Sequence, residues 1–453
     1  MQSVLERIVP NKEEENFLKK TVESLVSKVQ READRLSNGL VVNLVGSVSR
    51  RTWLRSDKDL DIFISFPLNF TKVDLENVVT MIGEKILKTP EKHYAEHPYV
   101  IGFYENYKVE LVPCYKLKNT LKLKSAVDRT PFHDKFVKGL IHGKETDVRL
   151  LKQFLKGIGC YGAESKVNGF SGYLCELLVI NNGSFKGVLE NARKWKNKEV
   201  IVFDGLIGEK KILKDKFSST LIVLDPVDEN RNVASALSAK NFGIFCYAAG
   251  VYLDNPSENF FFPVKKKVQR GKTIKIFEKR GTNLLAVFFN NPNKHEEILY
   301  NQGRKGAKVI EKYLIRKGFR VLHSDFFVNK DVCLFFELET LEIPPLKVHF
   351  GPETNTLHEI KFLEKYHSSK KKLTEPFIQG KRWVVYLKRD YSSVIDILKY
   401  YLSQEDLNNK GVPNHISKSL KDGFKISVNN AVFSKEFLNN IEDFLNPRFP
   451  WEV

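Results

Sequence analysis

Cysteine is scarce and scattered in this chain: five residues in 453, Cys114, Cys160, Cys175, Cys246 and Cys333, with no C-x-x-C spacing among them. That argues against both a disulfide framework and a zinc site, and the apolar neighbours of these residues point to buried free thiols for most of them. Long apolar runs are missing too. None approaches the roughly 18–20 residues that span a bilayer, so no membrane partner is expected. The opening stretch MQSVLERIVPNKEEEN carries acids where a signal or transit peptide would be basic and then apolar, so a soluble cytoplasmic chain is expected. The sequence also lacks internal repeats and low-complexity segments. Acidic residues are the last shortage: 55 Asp and Glu stand against 73 Lys and Arg, a formal charge of +18. Such an excess suggests a polyanionic partner, most often nucleic acid, with a generally basic surface as the plain alternative.

What is present is an ordinary globular composition, long enough for roughly two to four domains. Apolar residues at Leu18, Val22, Leu25 and Val29 mark a helix over Glu13–Leu36, stopped by Asn38-Gly39. Strands are predicted at Leu40–Val45, Leu60–Phe66, Tyr99–Tyr104 and Lys108–Cys114, with a helix Leu75–Leu87 between the second and third. Together they form a small mixed α/β unit ending near residue 140. From about residue 146 the pattern turns helical: Val148, Leu151, Leu155 and Ile158 share a face, and helices follow at Phe185–Trp195 and around 243–253. Beyond FFFPVKKK come the strands Leu284–Phe289, Val332–Leu338, Lys347–Phe350 and Trp383–Leu387, and a helix Lys305–Lys317 stopped by Gly318. Two last helices start after Ser392 and after Ser434.

One stretch breaks the pattern. VVNLVGSVSRRTWLRSDKDLDIFISF ends an apolar run at Gly46-Ser47 and then places Asp59 and Asp61 in the next strand, where carboxylates are poorly tolerated. Side chains two apart share a strand face, with Cα atoms about 6.6 Å apart, so the two acids project together while Leu60, Ile62 and Ile64 pack behind. Such a pair can converge on divalent metal, and a third carboxylate usually completes the cage. Glu110, a lone acid between Val109 and Leu111, can supply it if its strand lies alongside. Gly46 and Ser47 suit close approach of backbone to a phosphate, and Arg50 can neutralise a triphosphate. A lone D-x-D is more often an exposed edge. Joined to Gly-Ser at this spacing and to Glu110, it reads as phosphate chemistry with bound Mg²⁺. Asp57, at the start of the strand, reads as a solvated charge.

Gly46-Ser47, Asp59-x-Asp61 and the distal Glu110 resemble the nucleotidyltransferase superfamily typified by DNA polymerase beta. Further stretches narrow the likeness: RRTWLRSDKDLDIF, YAEHPYV, VELVPCY, SAVDRTPFHDKFV, LLKQFLKGIGCYGAESKVNGFSGYLCELLV and LDPVDENRNVASALS. In this order they resemble the archaeal-type (class I) CCA-adding tRNA nucleotidyltransferases, through roughly the first 250 residues. The resemblance implies an α+β multidomain chain: a polymerase beta-like mixed-sheet catalytic head (1–140), a helical neck (141–257), a C-terminal α/β body (258–301 and 378–453) and a tRNA-binding tail (302–377). It implies addition of C, C and A to tRNA 3′ ends from CTP and ATP, without a nucleic-acid template. The tRNA is gripped by its acceptor and T arms, and a homodimer is left open. The alternatives are a poly(A)- or poly(U)-type RNA nucleotidyltransferase and a catalytically silent RNA-binding protein. The TPxH stretch and NGFSGYLCELL count against the first, and the intact acids against the second.

By the same resemblance Asp59, Asp61 and Glu110 hold two Mg²⁺ ions; the family commonly has Asp where Glu110 stands. Its nucleotide contacts fall on Gly46, Ser47, Arg50, Thr130, His133, Lys152 and Tyr161, and Arg231 matches the arginine that helps choose between C and A. Locally each has a plainer reading: His133 a loop histidine after a proline-rigidified turn, Lys152 a snorkelling lysine, Tyr161 a core cap, Arg231 a helix-start residue packing on Asp228. His97 is expected near the nucleotide. CYKLKNTLKLKS reads as a basic strand edge, and RKWKNK, VKKKVQRGK and SSKKKL are further basic clusters of the kind that contact phosphates.

Overall fold

The computed structural model describes residues 1–55, 57, 59–94, 98–203, 210–264 and 267–452, with the backbone alone at Tyr94. The chain divides into two compact units, Met1–Lys265 together with Phe449–Val453, and Lys266–Arg448. No helix among the described residues is long and apolar enough to cross a membrane.

The first unit opens with helices α1 (Gln2–Ile8) and α2 (Lys12–Leu36). Asn11 and Glu14 close a reciprocal capping box at the start of α2, and Leu18, Leu25, Val29 and Ala33 form its buried stripe. Then come β1 (Val41–Val45), the single turn α3 (Gly46–Ser49), β2 (Asp59–Phe66), α4 (Lys72–Ile86), β3 (Lys88–Tyr94), β4 (Pro98–Tyr104) and β5 (Tyr107–Tyr115). They make one mixed sheet in the order β1-β2-β5-β4-β3. Strand β2 runs antiparallel to β1 and parallel to β5. Leu60, Ile62, Ile64 and Phe66 of β2 are fully buried in a core with Leu18 and Leu25 of α2 and Leu75, Val79 and Ile82 of α4. Packing both helices on one face leaves the alternate residues of β2, from Asp59 onward, on the other. Strand β3, which carries Pro90, is not evident from the sequence pattern and pairs at the sheet's outer edge.

The same unit continues with α5 (Thr130–Leu140), α6 (Glu145–Gly157), α7 (Gly172–Asn182), α8 (Phe185–Ala192), β6 (Glu199–Ile201), α9 (Lys210–Lys216), β7 (Leu221–Asp225), β8 (Asp228–Asn232) and α10 (Ala239–Asp254). Helix α8 stops at Ala192, short of Trp195, and Trp195 stacks on Phe242 inside the fold. Phe154 lies at the centre of the helical core, stacked on Phe260 with ring centroids 5.7 Å apart. Gly157 makes that contact possible, because a Cβ there would lie 2.0 Å from the Phe260 carbonyl oxygen. The final residues differ from expectation. Instead of staying with the body they join the first unit, where Trp451 stacks on Phe260 at 5.0 Å.

The second unit contains α11 (Arg270–Glu278), β9 (Asn283–Asn290), α12 (Glu296–Lys317), β10 (Val321–Val328), β11 (Asp331–Leu338), β12 (Leu346–Glu353), α13 (Glu359–His367), β13 (Phe377–Gln379), β14 (Arg382–Lys388), α14 (Val394–Leu402), α15 (Asn414–Asp422), β15 (Lys425–Val428) and α16 (Leu438–Leu445). Two sheets result, β10-β11-β9-β15 and β12-β14-β13. Helix α12 starts at Glu296, earlier than Lys305, and ends as expected at Gly318, whose left-handed φ of 101° turns the chain out of the helix. Strands β10, β13 and β15 and helices α11, α13 and α15 do not stand out in the sequence pattern.

Candidate active site

Parallel pairing of β2 with β5 sets Asp59 opposite Lys108 and Asp61 opposite Glu110. On the other flank, Val45 of β1 pairs with Asp61, so the chain turns at Gly46 directly beside the Asp61 carboxylate. Gly46 has φ +76°, and a Cβ there would lie 2.0 Å from Asp61 Oδ2. Only glycine satisfies both the backbone and the space. Ser47 follows in the same turn, half-buried.

Three carboxylates so close repel one another. Burial, then the charges of Glu110 and Asp59, push the Asp61 pKa up to about 7, against the smaller pull of Arg50 and Lys108. Asp59 is raised as well, chiefly by burial, with Glu110 and Asp57 adding to it. Lys108 Nζ donates to Glu110 Oε1 at 2.7 Å. Burial works against the lysine's charge, but the bond to Glu110 and the three acids hold its pKa above the ordinary value. Among the described residues no three Asp, Glu, His or Cys side chains are gathered into a ready metal cage. The donors nonetheless fit a hard divalent cation: oxygen ligands on adjacent strands, one acid held partly neutral, and an ammonium supplying positive charge at the third. Asp57 is partly exposed but also ion-paired: Lys156 Nζ donates to its two oxygens at 2.6 and 2.7 Å.

Behind the acids lies a buried ionic knot joining sheet to helices. Arg50 donates from Nε to Asp134 of α5 at 3.1 Å and from Nη1 to Glu176 of α7. Thr52 Oγ1 donates to the other Glu176 oxygen at 2.5 Å. Lys152 of α6, far from snorkelling, is 2% exposed and donates to Thr52 O and Oγ1 at 3.1 and 3.2 Å, with Glu176 3.8 Å away. Burial lowers its pKa, partly offset by Glu176. Tyr161 is bridged to Phe170 between Gly159 and Gly162, and burial lifts its hydroxyl pKa well above the ordinary value. Its hydroxyl and the Lys152 ammonium converge on Gly172, 3.2 and 3.6 Å from where a Cβ would stand.

A second polar group is centred on Asp225, at the end of β7. His133 sits in the first turn of α5, not in a loop, next to Pro131, and Thr130 begins that helix. His133 Nε2 lies 2.8 Å from Asp225 Oδ2, and Arg231 Nη1 donates to the same oxygen at 2.7 Å. The Tyr173 ring lies against His133, tilted by 30° with centroids 4.1 Å apart, and the Arg50 guanidinium lies 5.9 Å from the Tyr173 ring. Burial lowers the His133 pKa, with Asp225 opposing; facing a carboxylate oxygen, Nε2 is the donor of this pair. Burial alone would raise Asp225, but His133, the Val227 amide and Arg231 bring it below the usual carboxylate value. Arg231 thus lies in strand β8 and pairs with Asp225; Asp228 instead takes Arg129 at 2.7 Å. His97 lies outside the described residues. Residues 116–125 are bends and turns rather than a strand edge.

Sequence reasoning missed Lys108, Asp134, Glu176 and Asp225. Two carried a usable signal: Glu176 is the lone acid in the apolar run GYLCELLVI, and Asp225 closes the run LIVLD.

Three family models match the chain: "Nucleotidyltransferase domain" over residues 26–133, "tRNA nucleotidyltransferase, second domain" over 146–262, and "CCA-adding enzyme, C-terminal domain" over 280–429. Among curated proteins, the CCA-adding enzyme of Archaeoglobus fulgidus is 37% identical over 438 residues, covering 96% of this chain and 95% of that protein. That of Methanocaldococcus jannaschii is 35% identical, covering 96% and 97%. That of Pyrococcus abyssi is 38% identical, covering 81% and 82%.

Proposed function

The chain belongs to the CCA-adding enzymes, and on that premise we propose that it extends the 3′ end of tRNA by C, C and A from CTP and ATP, without a nucleic-acid template and with release of pyrophosphate. The observation that carries the chemistry is the parallel register that sets Glu110 against Asp61, with Asp59 two residues before on the same face.

Asp59, Asp61 and Glu110 would hold the divalent cations, two Mg²⁺ in this reading, which when bound lower the pKa of the attacking tRNA hydroxyl and neutralise the departing pyrophosphate. Glu110 releases Lys108 as it turns to that role. Gly46 brings the backbone of its turn close to the triphosphate, and Ser47 adds a hydroxyl donor. Thr130 and His133, at the start of α5, face the same phosphates. Arg50 and Lys152 act mainly through the field of the knot they share with Asp134 and Glu176, since Nε and Nη1 of Arg50 and the Lys152 ammonium are engaged within the protein. Tyr161 closes the deep side of the cleft. Arg231, one donor edge fixed on Asp225, keeps its remaining N–H groups for a base edge. Exposed lysines of the second unit grip the acceptor and T arms by charge, which makes binding salt-dependent.

The test is primer extension on tRNA transcripts that end before the CCA, with CTP, ATP or both, plus Mg²⁺. Addition of C, C and A followed by a stop supports the reading. A long homopolymer tail, or tight tRNA binding without addition, refutes it.

A further inference from the structure

Asp225 is 0% exposed, and its two oxygens are crowded with donors. Oδ2 accepts from both His133 Nε2 and Arg231 Nη1, at 2.8 and 2.7 Å. Oδ1 accepts from the Val227 amide at 3.0 Å and the Tyr173 hydroxyl at 3.4 Å. His133 comes from α5 and Arg231 from the β7–β8 hairpin, nearly a hundred residues apart in the chain, and this one oxygen is the link between them. The hairpin is anchored by the same carboxylate, since Val227 lies in the two-residue turn that leads to Arg231. A buried anion of this kind is costly unless its partners are fixed, so it fixes them.

We propose that Asp225 is a positioning residue for nucleotide selection: it sets the distance between a donor for the triphosphate and the guanidinium that reads the base. The proposal rests on the placement of His133 and Arg231 at the nucleotide. Asp225 touches no substrate itself. It holds the Arg231 fork by one edge, so the free edge points one way, and it ties that direction to the ring that meets the phosphates. A nucleotide with the wrong base then has its phosphates out of place. Without the tie each donor still binds, but the two no longer report on each other.

The test is a double-mutant cycle on the full-length chain, read by single-nucleotide addition to tRNA ending in CC. Asp225→Asn should raise KM for ATP about tenfold, lower the preference for ATP over CTP at that step by a similar factor, and change kcat less than about threefold. Arg231→Gln should do the same, and the double variant should be no worse than either single one. Should Asp225→Asn lose its cooperative melt, His133→Asn with Arg231→Gln carries the same cycle, and non-additive KM and discrimination effects are again expected. Additive effects in the cycle overturn the proposal, as does Asp225→Asn with unchanged KM and preference. Failure of the function itself reads differently, because the parent protein would then either add no A to tRNA ending in CC or run on past a single A.

Discussion

Asp61 and Glu110 lie directly opposite each other on parallel strands, with the turn at Gly46 closing the other flank of Asp61. The Asp61 pKa, raised from 3.8 to about 7, makes this pair a source of pH-dependent instability in the absence of cations. Between those two values the folded chain keeps a proton that the unfolded chain has lost, so stability falls as pH rises through the window. Above it the penalty is complete and on the order of a few kcal/mol. Asp61→Asn should therefore melt higher than the parent at pH 8 in EDTA, and the two should converge near pH 4. Saturating Mg²⁺ should raise the melting temperature of the parent but not of the variant. Thermal melts across pH, with and without EDTA, check all three points.

Lys108 is the counter-charge that Glu110 holds in its place, at 2.7 Å. Replacing it by Met removes a competitor for the carboxylate and leaves the acids less compensated. Calorimetric titration should find Mg²⁺ binding strengthened about tenfold in Lys108→Met. Unchanged or weaker binding would mean that Lys108 supports the cation site instead of competing for it.

Glu176 neutralises two buried cations at once, Arg50 and Lys152. Glu176→Gln leaves Lys152 without an anion and Arg50 with Asp134 alone inside the fold, a loss of about 3–5 kcal/mol by analogy with broken buried pairs. Urea unfolding should place the variant that far below the parent. Lys152→Met in the same background should recover part of the loss by removing one stranded charge.

His133 donates to Asp225 from Nε2, and burial sets its pKa below the ordinary histidine value. A triphosphate beside its free edge favours the doubly protonated ring. Its pKa, followed by NMR of the ring carbons, should be below 6.5 in the free protein and should move up when CTP is added without Mg²⁺. No upward movement would place the phosphates elsewhere.

The head was legible because its signals are local. The alternation of Asp59, Leu60, Asp61 and Ile62 names both faces of β2, and Gly46 marks the turn before it. What the sequence could not give was partnership. Glu176, Asp134 and Asp225 are each a single acid in an apolar neighbourhood, and only packing reveals which cation meets which. For that reason the plainer reading of Arg231 sets it against Asp228, near it in sequence, whereas the hairpin turns it back onto Asp225. Strand β3 was hidden by Pro90, which suits a sheet edge but weakens any strand signal. The return of Trp451 to the first unit depends on a contact across nearly two hundred residues, and no periodicity records it.

In the proposed function Asp59, Asp61 and Glu110 act as one cation site for CCA addition. Asp59→Ala, Asp61→Ala and Glu110→Ala should be assayed on a transcript lacking CCA, with tRNA affinity measured on the same samples. Each should lose nucleotide addition by about a thousandfold or more while binding tRNA within about threefold of the parent. If any of the three still adds CCA at a rate near the parent's, that acid is not part of the site and the three-carboxylate assignment is wrong.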